Sequence, residues 1–298
     1  MKKKKNYRLN KPWEPYVFLA PWLLGLFGLT LIPMVMSLYY SFTDFDMFTP
    51  PRWVGFQNYI NIFTNDPRAI RSMRVTFTFV ALTIPFQLTF ALILAVVLRK
   101  NIKGVRTYRA VYYLPSLLGG SIAISILWRQ IFNQDGLVNQ FLALVGIEGI
   151  NWIAMPQTAL YTIVFLAIWQ FGASMVIFLG GLKQISQEYY EAAEIDGAGK
   201  LASFFRITLP LLTPMIFFNI VMGIINAFQA FTPAFIISGG TGRPLDSTLF
   251  YTLYLYIRGF TQFAMGYASA LAWLLVVFLA IATALMFLGA RKWVFYDE

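Results

Sequence analysis

"EYYEAAEIDGAGKLASFFRITLPLLTP", Glu188 to Pro214, lies between two long uncharged stretches and holds four of the chain's thirteen acidic residues: Glu188, Glu191, Glu194 and Asp196. Glu188, Glu191 and Glu194 follow at i, i+3 spacing. On a helix that sets like charges along one stripe, at a cost of roughly a few tenths of a kcal/mol per pair. Ser186 is placed to cap such a helix, with Glu188 in the first turn where the helix dipole favours an anion. Gly197 and Gly199 accept left-handed dihedrals and can end it. A second short helix, Lys200 to Arg206, then precedes Pro210 and Pro214, which open the next apolar run. The stretch reads as a helix–turn–helix elbow with a smooth face at Ala192 and Ala193. Its acidic stripe suits either a solvated amphipathic loop or a surface for a basic partner groove.

Outward from the elbow the chain turns apolar. Of its 298 residues 58% are hydrophobic and only 12% charged, against about a quarter charged in soluble domains. Six runs are free of Asp, Glu, Lys and Arg: Tyr16–Phe42, Val75–Leu98, Ala110–Trp128, Ala159–Leu182, Leu211–Ile237 and Tyr267–Ala290. Crossing roughly 30 Å of hydrocarbon takes about 20 helical residues, which the third run meets most narrowly. The runs lack the alternation of a membrane barrel, so the expectation is an all-α integral membrane protein with six transmembrane helices.

Sixteen of the twenty-three Lys and Arg fall in segments that share one side if the N-terminus is inside. That bias predicts an N-in/C-in topology. Residues 1–15 then form a cytoplasmic basic tail, 16–290 the membrane domain with a cytoplasmic loop at 186–208, and 291–298 a second tail. The opening "MKKKK" reads as a topology signal facing anionic membrane lipid, not as a nucleic-acid site. The first run is too long for a signal-peptide core and reads as an uncleaved span, with Pro21, Gly25, Gly28 and Pro33 able to kink it. Outside, "RWVGFQNYINIF" (Arg52–Phe63) suits a short interfacial helix or an anchored loop. The stretch Ser247–Ile257 suits an extracytoplasmic helix dipping toward the membrane.

Little catalytic chemistry is available. The chain has no Cys and no His, which removes disulfides, thiolate nucleophiles, imidazole bases and the usual zinc ligands. A charge at the centre of a span would mark a proton relay or ion site, and none is present. No metal site is expected. Neutral polar residues do enter the spans. Asn219, Asn226 and Gln229 fall within roughly 80° of one face at 100° per residue, and Gln170 and Ser174 repeat the theme one span earlier. Amides beside aromatic rings suit a neutral, hydroxyl-rich ligand, and they equally suit hydrogen bonds between helices.

The elbow resembles the signature loop of bacterial ABC importer permeases: Glu-Ala-Ala, three residues, Gly, nine residues, Ile-x-Leu-Pro. Glu191-Ala192-Ala193, Gly197 and Ile207-Thr208-Leu209-Pro210 match it at both spacings. "PYVFLAPWLLGLFGLTLIPMVMSLYYSFTDFD" (15–46), "YRAVYYLPSLLGGSIAISILWRQIF" (108–132) and "GGTGRPLDSTLFYTLYLYIRGF" (239–260) are similar to the carbohydrate-uptake, maltose-permease-like branch. The resemblance implies a type I ABC importer permease bundle in the bacterial cytoplasmic (inner) membrane. It implies a second, homologous permease subunit, two cytoplasmic ATPase subunits and an extracytoplasmic solute-binding protein delivering a sugar. By the match, Glu191 anchors to a basic residue of the ATPase, Ala192 and Ala193 permit close docking and Gly197 permits the turn. Glu188, Glu194 and Asp196 complete the coupling surface, while Gln170, Ser174, Asn219, Asn226 and Gln229 are the pathway candidates. The chain has no phosphate-binding loop of its own, so no cofactor is expected on it; ATP and Mg belong to the partners. The competing reading is a secondary carrier or channel, since six spans alone do not separate the two.

Overall fold

Pro33 has no N–H to give the helical ladder and its ring crowds the preceding turn, so the first span cannot run as a regular helix. In the computed structural model, which describes residues 13–100 and 103–295, α1 (Glu14–Leu24) passes through a π segment, Gly25–Leu31, into α2 (Ile32–Ser41). The Ile32 N–H reaches back five residues to the Phe27 carbonyl, the extra-residue turn by which a helix absorbs such a strain. Residues 1–12, with the lysine run, and 296–298 lie outside the described residues.

Contacts divide the chain into two units, Met1–Asn61 with Arg258–Leu274 and Ile62–Ile257 with Leu275–Glu298. In the first, α1 and α2 present apolar side chains all round. A two-residue hairpin, β1 (Thr43–Asp44) against β2 (Arg52–Trp53), follows. Asp46 shapes its turn, accepting from the Thr49 N–H at 2.8 Å and the Thr49 hydroxyl at 2.9 Å. Those bonds hold its carboxyl below the ordinary range. The interfacial segment is a helix, α3 (Gln57–Thr64). Phe56, Ile60 and Phe63 are exposed along it, while Asn58 donates to the Ser41 and Thr43 carbonyls at 3.0 and 2.9 Å.

The second unit is organised on α4 (Pro67–Arg99), a 33-residue helix capped by Asp66, which accepts from the Ala69 N–H. After it come α5 (Val105–Leu118), α6 (Ile122–Ile131), α7 (Leu137–Leu144), α8 (Ala159–Trp169) and α9 (Gly172–Gln184). The elbow supplies α10 (Gln187–Ile195), α11 (Lys200–Ser203), a π segment Phe204–Thr208 and α12 (Leu209–Leu211). Then follow α13 (Thr213–Phe228), α14 (Thr232–Ser238) and α15 (Tyr251–Tyr256), while the next π segment, Ile257–Thr261, and α16 (Met265–Ala290) are each divided between the two units. Ala91 and Ala95, fully buried one turn apart on α4, pack among Met175, Phe178, Leu179 and Leu182 of α9. Small residues at such a seam let two membrane helices approach closely.

Among the described residues, five helices are long and apolar enough to cross a membrane: Pro15–Ser41, Pro67–Arg99, Ala159–Gln184, Thr213–Ser238 and Met265–Ala290. A sixth crossing is reached when α5 and α6 count as one span, but they meet at a 100° bend. The continuous third span, Ala110–Trp128, is therefore corrected to a broken pair. Gly119 and Gly120 weaken the helix there, and Ser121, in extended conformation, starts a new one by accepting from the Ile124 N–H. The segment near Ser247–Ile257 is helical as α15, but Leu249, Phe250, Tyr251, Leu253 and Tyr254 are buried. Protein covers it: the Tyr251 N–H donates to Thr76 Oγ1 of α4 at 2.8 Å.

Candidate functional site

Two features collect the candidate residues. The first is the elbow. The Ser186 hydroxyl accepts from the Glu188 N–H at 3.3 Å and starts α10. Gly197 sits at φ +79°, a left-handed turn that any side chain would strain. Gly199 does not share that conformation: it is extended (φ −71°, ψ 162°) and caps α11. Glu188, Glu191, Ala192, Glu194, Asp196 and Gly197 are exposed, and Ala193 is half-buried. None of the four carboxylates has an ion-pair partner among the described residues. Apolar Ile195 (87% exposed) and Leu201 (73%) stand out beside them. An exposed apolar pair rimmed by unpaired acids is the composition of a docking surface.

One side chain of this elbow turns inward. The Tyr190 hydroxyl accepts from Arg99 Nη1 at 2.9 Å and lies 2.9 Å from Thr208 Oγ1. The Arg99 guanidinium also stands 4.8 Å from the Tyr190 ring centre.

The second feature is a cavity of about 680 Å³ between α4, the α5–α6 bend, the α8–α9 break and α13, within the range of small-ligand sites. It brings together Gln170, Ser174, Asn219 and Asn226, but not Gln229. Gln229 is exposed at the end of α13, its N–H closing the last turn onto Asn226. Sequence reasoning missed Thr83 and Gln87 on α4 and Ser116 on α5, which also line it. The Gln87 amide was legible by the same logic as Gln170, an amide inside an apolar run.

Gln170 occupies the junction of two broken helices. Its Nε2 donates to the Gly119 and Leu166 carbonyls, both at 3.2 Å, and Gln87 donates to its backbone carbonyl at 3.3 Å. A Cβ at Gly119 would come within 2.0 Å of the Gln170 side chain, and one at Gly172 within 2.4 Å of the Tyr112 carbonyl. Glycine at both places lets the broken helices nest. Asn219 donates to the Met215 carbonyl of its own helix at 2.8 Å. Asn226 is exposed to the cavity. No Asp, Glu, Lys or Arg lines the space, and Phe79, Phe218 and Phe231 supply aromatic surface.

Residues 62–293 match the model of a family described as "Binding-protein-dependent transport system inner membrane component". The chain is 49% identical over 299 residues to the probable ABC transporter permease protein YesP of Bacillus subtilis, covering all of this chain and 96% of that protein. It is 31% identical to the lactose transport system permease protein LacF of Rhizobium radiobacter, over 93% of this chain and 94% of the other. A third relative is the arabinooligosaccharides transport system permease protein AraP of Halalkalibacterium halodurans, 30% identical over 93% and 88% of the two chains. Among solved structures, the fold matches a chain of a bacterial alginate ABC transporter in complex with an alginate pentasaccharide-bound periplasmic protein. The TM-score there is 0.81 at 20% identity, covering 94% of each chain. A family match over most of the length and full-length relatives named as permeases agree: the chain belongs to the inner-membrane components of binding-protein-dependent transport systems, as an ABC transporter permease subunit, the transport component of such a system.

Proposed function

We propose that this permease imports a neutral di- or oligosaccharide, or a related glycoside, and is driven through its 186–208 elbow by two cytoplasmic ATPase subunits. The observation that carries the proposal is the elbow, whose acids are exposed and unpaired while its inner face is tied to α4. Glu191 anchors to a basic residue of the ATPase, with Glu188, Glu194 and Asp196 adding to the field around it. Ala192 and Ala193 allow close approach, and Gly197 keeps the turn. ATP and Mg act in those partners, and no cofactor sits on this chain.

The sugar is delivered by an extracytoplasmic binding protein and passes between this chain and a second, homologous permease. The cavity's amides and hydroxyls can both donate and accept, which suits a polyol. The absence of a lining charge favours a neutral one. Relatives named for lactose and arabinooligosaccharide transport support the same class. Residues 16–290 are the membrane body, flanked by tails at 1–15 and 291–298 whose cations face anionic lipid.

The test is the complete transporter, purified with its binding protein, in lipid vesicles. Neutral disaccharides and oligosaccharides are screened for stimulation of ATP hydrolysis, and a stimulating sugar should accumulate only with ATP. Accumulation in vesicles lacking ATP and the ATPase subunits would make the chain a secondary carrier instead.

A further inference from the structure

We propose that Tyr190 is the positioning residue through which movement of the elbow reaches the cavity wall. The inference rests on the proposed coupling function of the elbow and adds a mechanical route to it. Among the described residues, no other side chain of α10 hydrogen-bonds outside its own helix, and Tyr190 makes two such bonds. Its phenolic oxygen accepts from Arg99, the last residue of α4, at 2.9 Å. The same oxygen shares a hydrogen bond with the Thr208 hydroxyl, also at 2.9 Å, in which either hydroxyl can donate. Thr208 is buried at 4% exposure and leads the chain toward α13. The guanidinium over the ring adds a second contact to the same arginine.

The phenol ties the inner end of α4 to the π segment Phe204–Thr208, which leads through α12 into α13. Both α4 and α13 carry polar residues of the cavity, alongside Ser116, Gln170 and Ser174 from other elements. Thr83 and Gln87 stand on α4, and Asn219 and Asn226 on α13. Twelve residues separate Gln87 from Arg99, about 18 Å along the helix at 1.5 Å per residue. A helix bonded within itself transmits displacement along its axis better than a loop does. Pulling α10 outward therefore pulls on the inner end of α4 and on the entry to α13 together, through one hydroxyl.

The experiment needs no knowledge of the sugar. The chain has no cysteine, so Ala173→Cys, on α9 and lining the cavity, creates a single thiol. Its labelling by N-ethylmaleimide is followed by mass on this chain in the complete transporter. Rates with ATP, Mg and vanadate are compared with rates without nucleotide. Tyr190→Phe keeps the ring over Arg99 and removes both hydrogen bonds. The expected result is an ATP-dependent change in labelling about fivefold smaller, with the ATPases still bound and hydrolysing.

Arg99→Met should give the same loss, and the double variant should lose no more than either single one. An unchanged nucleotide response in Tyr190→Phe, or strictly additive losses, overturns the inference. Reduced thermal stability with an unchanged response also overturns it, because that is what a merely structural tyrosine gives. Should Tyr190→Phe not assemble, Thr208→Val and Arg99→Lys report the same ratio, and unchanged responses in both overturn it. Glu191→Lys separates the two levels. If that variant keeps the ATP response, the coupling function of the elbow fails. If it alone loses the response, only the role of Tyr190 fails.

Discussion

The two ends of α4 are held in different ways. At its outer end, Asp66 caps the helix with a 3.1 Å bond from the Ala69 N–H and also accepts the Tyr254 hydroxyl. Arg68 grips Asp246 through both carboxylate oxygens at 2.7 and 3.0 Å, and Arg71 donates to the Leu245 carbonyl at 3.0 Å. Thr76 takes the Tyr251 N–H. At its inner end, the link to the elbow is Arg99 and the Tyr190 phenol. The outer end is held by several separate bonds, whereas the hydrogen bond from the inner end to α10 passes through one phenol. The same inner end is also packed through Leu98, whose carbonyl accepts from Arg109. Were the elbow driven by ATPase subunits as proposed, that asymmetry would leave one end of the wall fixed and let the other respond.

The sharpest way to break the comparison is at the elbow beyond the inner end. Glu191→Lys should leave the chain folded, because Glu191 is exposed and unpaired. It should still cut ATP-driven uptake by about thirtyfold or more, the scale of truncating one partner of a desolvated charge pair. Co-purification of the ATPase subunits checks it, and normal association would remove the elbow from the coupling account. The outer end should answer differently. Asp66→Ala loses the cap and the acceptor for Tyr254, about 1–2 kcal/mol, read as a thermal midpoint lower by about 2–6 °C. The nucleotide response of the cavity thiol should stay as in wild type. A response lost at Asp66 as fully as at Tyr190 would show that both ends couple, and the asymmetry would fall.

Features that depend on local chemistry are legible in the sequence. The Ser186 cap, the left-handed Gly197 and the first short helix follow from residues within a dozen positions of each other, and all are present. The second helix, expected over Lys200 to Arg206, begins at Lys200 but is α-helical only to Ser203 and passes into the π segment Phe204–Thr208. The third span was misread because hydropathy averages across Gly119 and Gly120, whereas the bend depends on Gln170, fifty-one residues away, filling the place of a side chain. Distance in sequence also hid the phenol. Tyr190 and Arg99 are ninety-one residues apart, and neither breaks a local pattern. Of the pathway amides, periodicity grouped Gln229 with Asn219 and Asn226, but α13 ends at Phe228 and its face ends there too.

A smaller effect separates amides that hold helices from amides free to meet a ligand. Asn219 is buried and gives one of its two amide hydrogens to the Met215 carbonyl of its own helix, so Asn219→Ala should lower stability without moving the sugar concentration for half-maximal uptake. Asn226→Ala should raise that concentration about fivefold, the worth of one hydrogen bond, with assembly intact. Equal shifts in the two would mean that the cavity does not distinguish wall from ligand, and that α13 acts only as scaffold.

The smallest effect lies midway along α4, between its fixed and its responsive end. Thr76 and Thr78 turn their hydroxyls back onto the Ser72 and Arg74 carbonyls, both at 2.9 Å. Thr83 does not: its Oγ1 is buried without a hydrogen bond among the described residues, in a side chain 2% exposed that lines the cavity. A buried hydroxyl left unsatisfied costs about 1–3 kcal/mol, and replacing it with an apolar group of the same shape recovers part of that. Thr83→Val should therefore raise the thermal midpoint of the sugar-free transporter by about 1–3 °C. If the hydroxyl is held in reserve for the sugar, the same variant should need about two- to threefold more sugar for half-maximal uptake. Greater stability with unchanged sugar dependence would make the middle of α4 a wall and not a ligand, and its functional weight would then rest on Gln87 and on the two ends.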